Sequence, residues 1–105
     1  MMPLPDASTE RLSLTLDPVL DLRAAGSLKD ALLQGLGRQI PLLIDAGQVN
    51  RMSTACVQVL AAFMLEARRT GMALSLRNSS TVFNAAFTDL GLADVLNGIK
   101  AQEHT

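Results

Sequence analysis

The sequence contains few of the residues that cross-link chains or hold metals. It has one cysteine and one histidine, and three phenylalanines without any tryptophan or tyrosine. A single thiol, Cys56, cannot close an internal disulfide, and Cys56 with His104 cannot supply the four ligands of a tetrahedral metal site. We therefore expect no metal and no cofactor, and a reducing compartment.

Basic residues are not in excess. The sequence has nine Lys and Arg residues and ten Asp and Glu residues, which gives a formal net charge of −1. Proteins that bind nucleic acids cluster cations to neutralise phosphates, and those that bind single strands also stack bases on exposed aromatic rings. We expect no nucleic-acid partner.

Long apolar runs are missing as well. No run approaches the roughly 20 residues of a membrane span. Residues 1–11 lack the basic and then apolar pattern of a signal peptide. We expect a cytoplasmic protein without direct membrane insertion.

The residue combinations that support catalysis are also absent. The one histidine, His104, stands in the polar tail, no motif pairs two carboxylates, and no glycine loop opens a helix in the way that cradles phosphate. Gly35 and Gly37 follow a predicted helix instead. The sequence thus predicts a protein that is not an enzyme, with a small-ligand pocket as the remaining alternative.

Aliphatic residues dominate what is present, since hydrophobic residues make up 49% of 105 positions. That is enough for the core of one domain. Alternation over residues 12–16 predicts a half-buried strand, and the continuous apolar run over residues 40–44 predicts a strand buried on both faces. Ser27 is the expected N-cap of a first helix, and a long helix is expected from Ser53-Thr54 to about Thr70.

The predicted element order is β-β-α-β-α-β-α-α. Strands that alternate with helices are typical of parallel sheets. We predict a small, mixed α/β fold, with a mostly parallel sheet of four to five strands and its helices on one face. Residues 1–10 are expected to be a flexible leader, 11–98 the domain and 99–105 a flexible tail.

The long helix is apolar nearly all round until Leu65. One side is expected to pack on the sheet. Its second side must either pack on neighbouring helices or form an exposed patch that binds a partner or a second copy of the chain.

The most informative stretch runs from Leu42 to Leu65. A buried strand ends in an acid, a loop follows, and two hydroxyl residues open the long helix. This layout resembles the STAS domain family of anti-sigma factor antagonists, whose strand ends in Asp and whose helix is preceded by Asp-Ser-Ser/Thr-Gly. The matching residues are Asp45, Val49 and Met52, and Ser53-Thr54-Ala55-Cys56 occupies the motif, with Ser53 and Cys56 where the family has Asp and Gly. With the later stretch GMALSLRNSSTVFNAAFTDLGLADVL, the resemblance covers roughly residues 12–97.

The resemblance implies a phosphoacceptor at Thr54, with Ser53 as the second candidate. In the family, a partner kinase phosphorylates this position at the start of the helix. Either hydroxyl could also serve simply as the helix N-cap. The residues expected to bind the partner are Asp45, Arg51, Met52, Ser53, Thr54, Ala55 and Gln58.

The function implied is regulation by protein–protein contact. The expected partner is an ATP-binding anti-sigma factor or a histidine kinase, in bacterial sigma-factor or chemotaxis-type signalling, with phosphorylation of Thr54 as the switch. The alternative is a STAS subunit of a lipid-transport ABC complex that binds its ATPase. A homodimer is a further expectation.

Overall fold

The computed structural model describes residues 12–38 and 40–103, with side chains described as far as residue 99. The strands are β1 (Leu12–Thr15), β2 (Val19–Leu20), β3 (Leu42–Ala46), β4 (Arg51–Met52) and β5 (Leu74–Ser79). The helices are α1 (Ala24–Arg38), α2 (Thr54–Thr70), α3 (Thr81–Asp89) and α4 (Ala93–Glu103).

The main sheet has three parallel strands in the order β1-β3-β5. One face of it carries apolar side chains that enter the core, namely Leu12, Leu14, Leu42, Ile44, Ala46, Leu74 and Leu76. On the other face lie Ser13, Thr15, Asp45 and Arg77, which are half-buried or exposed. Successive strand residues point to opposite faces. The helices therefore cover one face, which confirms the predicted fold class.

Two short strands form a separate parallel sheet, β2-β4. The backbone N–H groups of Asn50 and Arg51 both donate to the Pro18 carbonyl, at 2.8 and 3.1 Å. The sequence predicts a loop over residues 48–52, where the structure has the short strand β4. A two-residue strand is too short to show any periodicity.

The start predicted for α1 is wrong. The helix begins at Ala24, whose N–H donates to the Asp21 carboxylate at 3.2 Å, and not after Ser27. It also continues through Gly35 and Gly37 to Arg38. Gly35 is buried, and a Cβ placed there would lie 3.4 Å from Leu12 Cδ1. The glycine thus marks close contact between helix and sheet rather than the end of the helix.

The predicted extent of α2 is confirmed. Gly71 ends the helix with φ 77°, a left-handed conformation that glycine adopts without steric cost. The Gly71 N–H donates to the Ala67 and Arg68 carbonyls, and the Met72 N–H also donates to the Ala67 carbonyl at 2.8 Å. The chain can then turn directly into β5.

The core extends beyond residue 98. Leu96 and Ile99 on α4 are 3% and 2% exposed and belong to the main apolar cluster. Residue 98, the predicted end of the domain, lies within α4. The predicted leader, residues 1–10, lies outside the described residues. Across the described ranges, no helix is long and apolar enough to cross a membrane.

Candidate functional site

The loop that leads into α2 is fixed from several sides. The Gln48 side-chain amide donates to the Leu16 carbonyl at 2.9 Å, and the Ser53 N–H donates to the Leu20 carbonyl at 2.8 Å. Val49 is 1% exposed, and its carbonyl accepts a hydrogen bond from the Ser80 hydroxyl. Ordered loops lose little conformational entropy on binding. The start of α2 is thus presented on a preformed surface.

Ser53 and Thr54 have different roles. Ser53 is the N-cap of α2, with φ −77° and ψ 157°, and its hydroxyl accepts from the Cys56 N–H at 3.2 Å. Thr54 is the first helical residue and is exposed, and its hydroxyl makes no hydrogen bond with any described residue. Capping therefore occupies the Ser53 hydroxyl and leaves the Thr54 hydroxyl available to a partner.

An apolar groove lies between the start of α2 and α3, and we call it the Thr54 groove. Its volume is about 300 Å³, and it is lined by Met52, Thr54, Val57, Val82, Ala85, Ala86, Asp89 and Leu90. On its α3 side, Val82 and Leu90 are 39% and 41% exposed. Asp89 is the charged residue among those that line it. The exposed Thr54 hydroxyl therefore stands beside apolar surface and near one carboxylate.

Cys56 stands where the family motif has glycine, but it faces inward. Its side chain is buried, and its thiol donates to the Asp21 carbonyl at 3.3 Å. This contact joins the first turn of α2 to the segment before α1. The change from glycine to cysteine therefore adds no side chain to the exposed surface.

Asp45 closes the turn after β3. Its carboxylate accepts from the Gly47 N–H at 2.9 Å and lies 3.5 Å from both the Asn78 amide and the Arg77 guanidinium. The Gly47 hydrogen bond, followed by the contacts with Asn78 and Arg77, lowers the pKa of Asp45 and outweighs its partial desolvation. A Cβ on Gly47 would come within 2.9 Å of Asn78 Cβ, so this turn has no room for a larger residue.

The predicted site residues are distributed over three surfaces. Met52 and Thr54 line the Thr54 groove, with Ser53 between them in the chain. Asp45 lines a polar cleft of about 490 Å³ at the ends of the main strands. Ala55 and Gln58 line a second apolar groove, between α1 and α2. Arg51 is exposed on β4.

Sequence reasoning missed the contribution of α3. Phe83 and Phe87 are fully buried, with ring centroids 5.1 Å apart, and they fix one face of this helix on the core. The adjacent face carries Val82, Ala86 and Leu90 into the groove. These three residues are spaced as a second apolar stripe of the helix, and that stripe is visible in the sequence. The sequence does not show that the stripe lines a groove, because this depends on the position of α3 beside α2.

Within the described ranges, no group of three or more His, Cys, Asp or Glu residues is placed to hold a metal ion. A family model described as "Mlab, STAS domain" matches residues 4–97, which is most of the chain. A search of the curated proteins finds no match.

Proposed function

The chain belongs to the STAS domain family, and we propose that it docks on a signalling kinase or anti-sigma factor through the Thr54 groove. STAS domains are in general binding modules rather than enzymes. One observation carries the proposal. The Thr54 hydroxyl is exposed and without a hydrogen-bond partner among the described residues, at the edge of an apolar groove.

The groove has the composition of the centre of a protein interface. Met52, Val82 and Leu90 offer partly exposed apolar side chains, and such side chains supply most binding energy when a partner removes them from water. The hydrogen bonds of the preceding loop hold this surface in place before binding. A rigid surface loses less entropy on association than a mobile one.

Phosphorylation of Thr54 would switch this contact without disturbing the fold. A phosphate there adds a charge of about −1.5 to −2 beside the helix N-terminus, where the helix dipole and free N–H groups stabilise anions. The same charge would enter a groove that already holds the Asp89 carboxylate. A partner that fits the neutral surface would therefore be released while α2 stays folded.

Binding titrations with purified partners test the docking site. The full chain is titrated by calorimetry against the ATP-binding kinases and, separately, the ABC-transporter ATPases of the same cell. We expect kinase binding that Thr54→Glu weakens at least tenfold. Thr81→Glu is the matched control, because Thr81 also follows a capping serine, Ser80, as the first residue of a helix but does not line the groove.

Two results would contradict this assignment. Kinase binding that Thr54→Glu and Thr81→Glu affect equally would remove Thr54 from the contact. Binding to the ATPase in place of any kinase would favour the ABC-complex alternative. Mass spectrometry of the chain from its own cells tests the switch, since we expect a phosphate increment that disappears in Thr54→Ala.

A further inference from the structure

One serine hydroxyl joins the two walls of the Thr54 groove. One wall is helix α3, and the other is the β4–α2 segment, which supplies Met52, Thr54 and Val57. Ser80 stands immediately before α3, and its hydroxyl donates to the Val49 carbonyl in the loop that precedes β4. The hydroxyl therefore links α3 to the segment that leads to Thr54, although Ser80 does not itself line the groove.

The same hydroxyl is also the N-cap of α3. Its oxygen accepts from the Phe83 N–H at 3.0 Å, and Ser80 has the extended backbone of a cap, with φ −69° and ψ 162°. The Ser80 N–H donates to the Ala46 carbonyl at 3.1 Å, so the backbone of this residue is anchored on β3. A hydroxyl can cap and donate at once, because it carries one donor and two acceptor lone pairs. The bond to the loop is thus separate from the cap.

The loop is held on its other side by backbone hydrogen bonds. The N–H groups of Asn50 and Arg51 donate to the Pro18 carbonyl, which fixes the loop next to β2. The Ser53 N–H donates to the Leu20 carbonyl at the start of α2. None of these three bonds involves α3. They therefore leave the spacing between the loop and α3 to other contacts.

Packing alone defines that spacing less precisely than a hydrogen bond does. The Val49 side chain belongs to the apolar core, and the residue is 1% exposed. Apolar contacts are non-directional, whereas a hydrogen bond requires a defined distance and angle. A carbonyl with so little access to water is also costly to leave without a donor. The Ser80 hydroxyl therefore selects one position of the loop among those that packing allows.

We propose that Ser80 is a positioning residue for the Thr54 groove. By donating to the Val49 carbonyl, its hydroxyl sets the spacing between α3 and the segment that carries Met52 and Thr54. This role rests on docking through the groove as the proposed function. A partner that contacts both walls binds more tightly when their spacing is fixed beforehand, because a mobile surface loses more entropy on association. Ser80 thus contributes to affinity without lining the groove.

Three substitutions separate the donated bond from the cap. Ser80→Thr keeps both the donor and the cap. Ser80→Asp keeps the cap, because Asp is as good an N-cap as Ser, but its carboxylate has no proton to give to the Val49 carbonyl. Ser80→Ala removes both bonds. A capping role alone predicts that Ser80→Asp behaves like the original chain, whereas a positioning role predicts that it behaves like Ser80→Ala at the loop.

Amide hydrogen exchange of the free chain, followed by NMR, measures both bonds without a partner. The N–H groups of Asn50, Arg51 and Ser53 report on the loop, and the Phe83 N–H reports on the cap. We expect the loop amides to exchange about fivefold faster in Ser80→Asp and Ser80→Ala, as the loss of one hydrogen bond implies, and at the original rate in Ser80→Thr. The Phe83 N–H should exchange faster in Ser80→Ala alone.

Calorimetry against the kinase measures the effect on binding. We expect Ser80→Asp and Ser80→Ala to weaken kinase affinity about fivefold, and Ser80→Thr to stay within about twofold of the original chain. Thr81→Glu is the charge control, because it adds a negative charge at the next residue and should leave the affinity unchanged. Urea unfolding verifies that each variant is folded.

Loop amides that exchange at the original rate in Ser80→Asp overturn the proposal. Kinase affinity that Ser80→Asp leaves unchanged, or that Ser80→Thr reduces as much as Ser80→Ala does, overturns it as well. An original chain that binds no kinase contradicts the proposed function instead. Exchange in the free chain then still decides whether the Ser80 hydroxyl fixes the loop against α3.

Discussion

The two grooves beside α2 are both apolar, but they differ in how charge is arranged. The Thr54 groove has one carboxylate, Asp89, and an exposed hydroxyl that no described residue occupies. The second apolar groove, between α1 and α2, is lined by a cation, Lys29, and an anion, Glu66. Helix α2 therefore lines two grooves that share no lining residue, and a substitution in one groove leaves the side chains of the other unchanged.

The largest effect is expected from the core that supports the Thr54 groove. Phe83 is fully buried under α3, so Phe83→Ala should reduce the free energy of unfolding by about 3–5 kcal/mol. Phe63 is 6% exposed and lines the groove between α1 and α2, where solvent or neighbouring side chains can fill the space that truncation leaves. Phe63→Ala should therefore cost less. Urea unfolding at pH 7 measures both, and an equal or larger loss for Phe63→Ala would contradict this ranking.

Charge placed in one groove or the other should show which of them binds the kinase. Val82→Glu should weaken kinase binding more than tenfold, because Val82 lines the Thr54 groove. Leu33→Glu is the matched control and should leave kinase binding unchanged, because Leu33 lines the groove between α1 and α2. Calorimetry on the two variants provides the comparison. Equal losses of affinity would contradict docking through the Thr54 groove.

A smaller effect should distinguish the two hydroxyl residues at the start of α2. Ser53→Ala removes the N-cap bond to the Cys56 N–H and should lower the free energy of unfolding by about 1 kcal/mol. Thr54→Ala removes a hydroxyl without a described partner and should change stability by less than about 0.5 kcal/mol. The opposite order should hold for kinase affinity. Equal stability losses in urea would mean that Thr54 shares the capping role.

The smallest effect concerns pH at the third surface. The pKa of Asp45 lies below its ordinary value of 3.8, mainly because the carboxylate accepts the Gly47 N–H. Its contribution to stability is therefore present above pH 3.8 and is lost as the pH falls through the lowered folded-state pKa. Asp45→Asn should be slightly less stable than the original chain at pH 7, and the difference should shrink at pH 2–3. A difference that stays constant between these values would exclude the charged form as its cause.

Much of this molecule follows from local sequence pattern. The apolar run over residues 40–44 marks the central strand, and the length and Gly71 terminus of α2 follow from helix periodicity and turn chemistry. The order of strands and helices implies parallel pairing, because consecutive parallel strands need a crossover. The resemblance to the STAS family rests on this order and on the layout around Asp45 and Thr54. Each of these features depends on residues that are neighbours in the chain.

Tertiary structure alone decided how these residues divide into surfaces. The inward thiol of Cys56 and the separation of Asp45 from Thr54 depend on segments distant in sequence, such as Asp21 and Asn78. Gly35 is a further example. The sequence predicts a helix end at this glycine, whereas the structure shows that it lies inside α1 and close to Leu12 of the sheet. Periodicity shows which sides of a helix are apolar but not which neighbour covers them. The packing of α1 and α3 on either side of α2 settles that choice and leaves two grooves open.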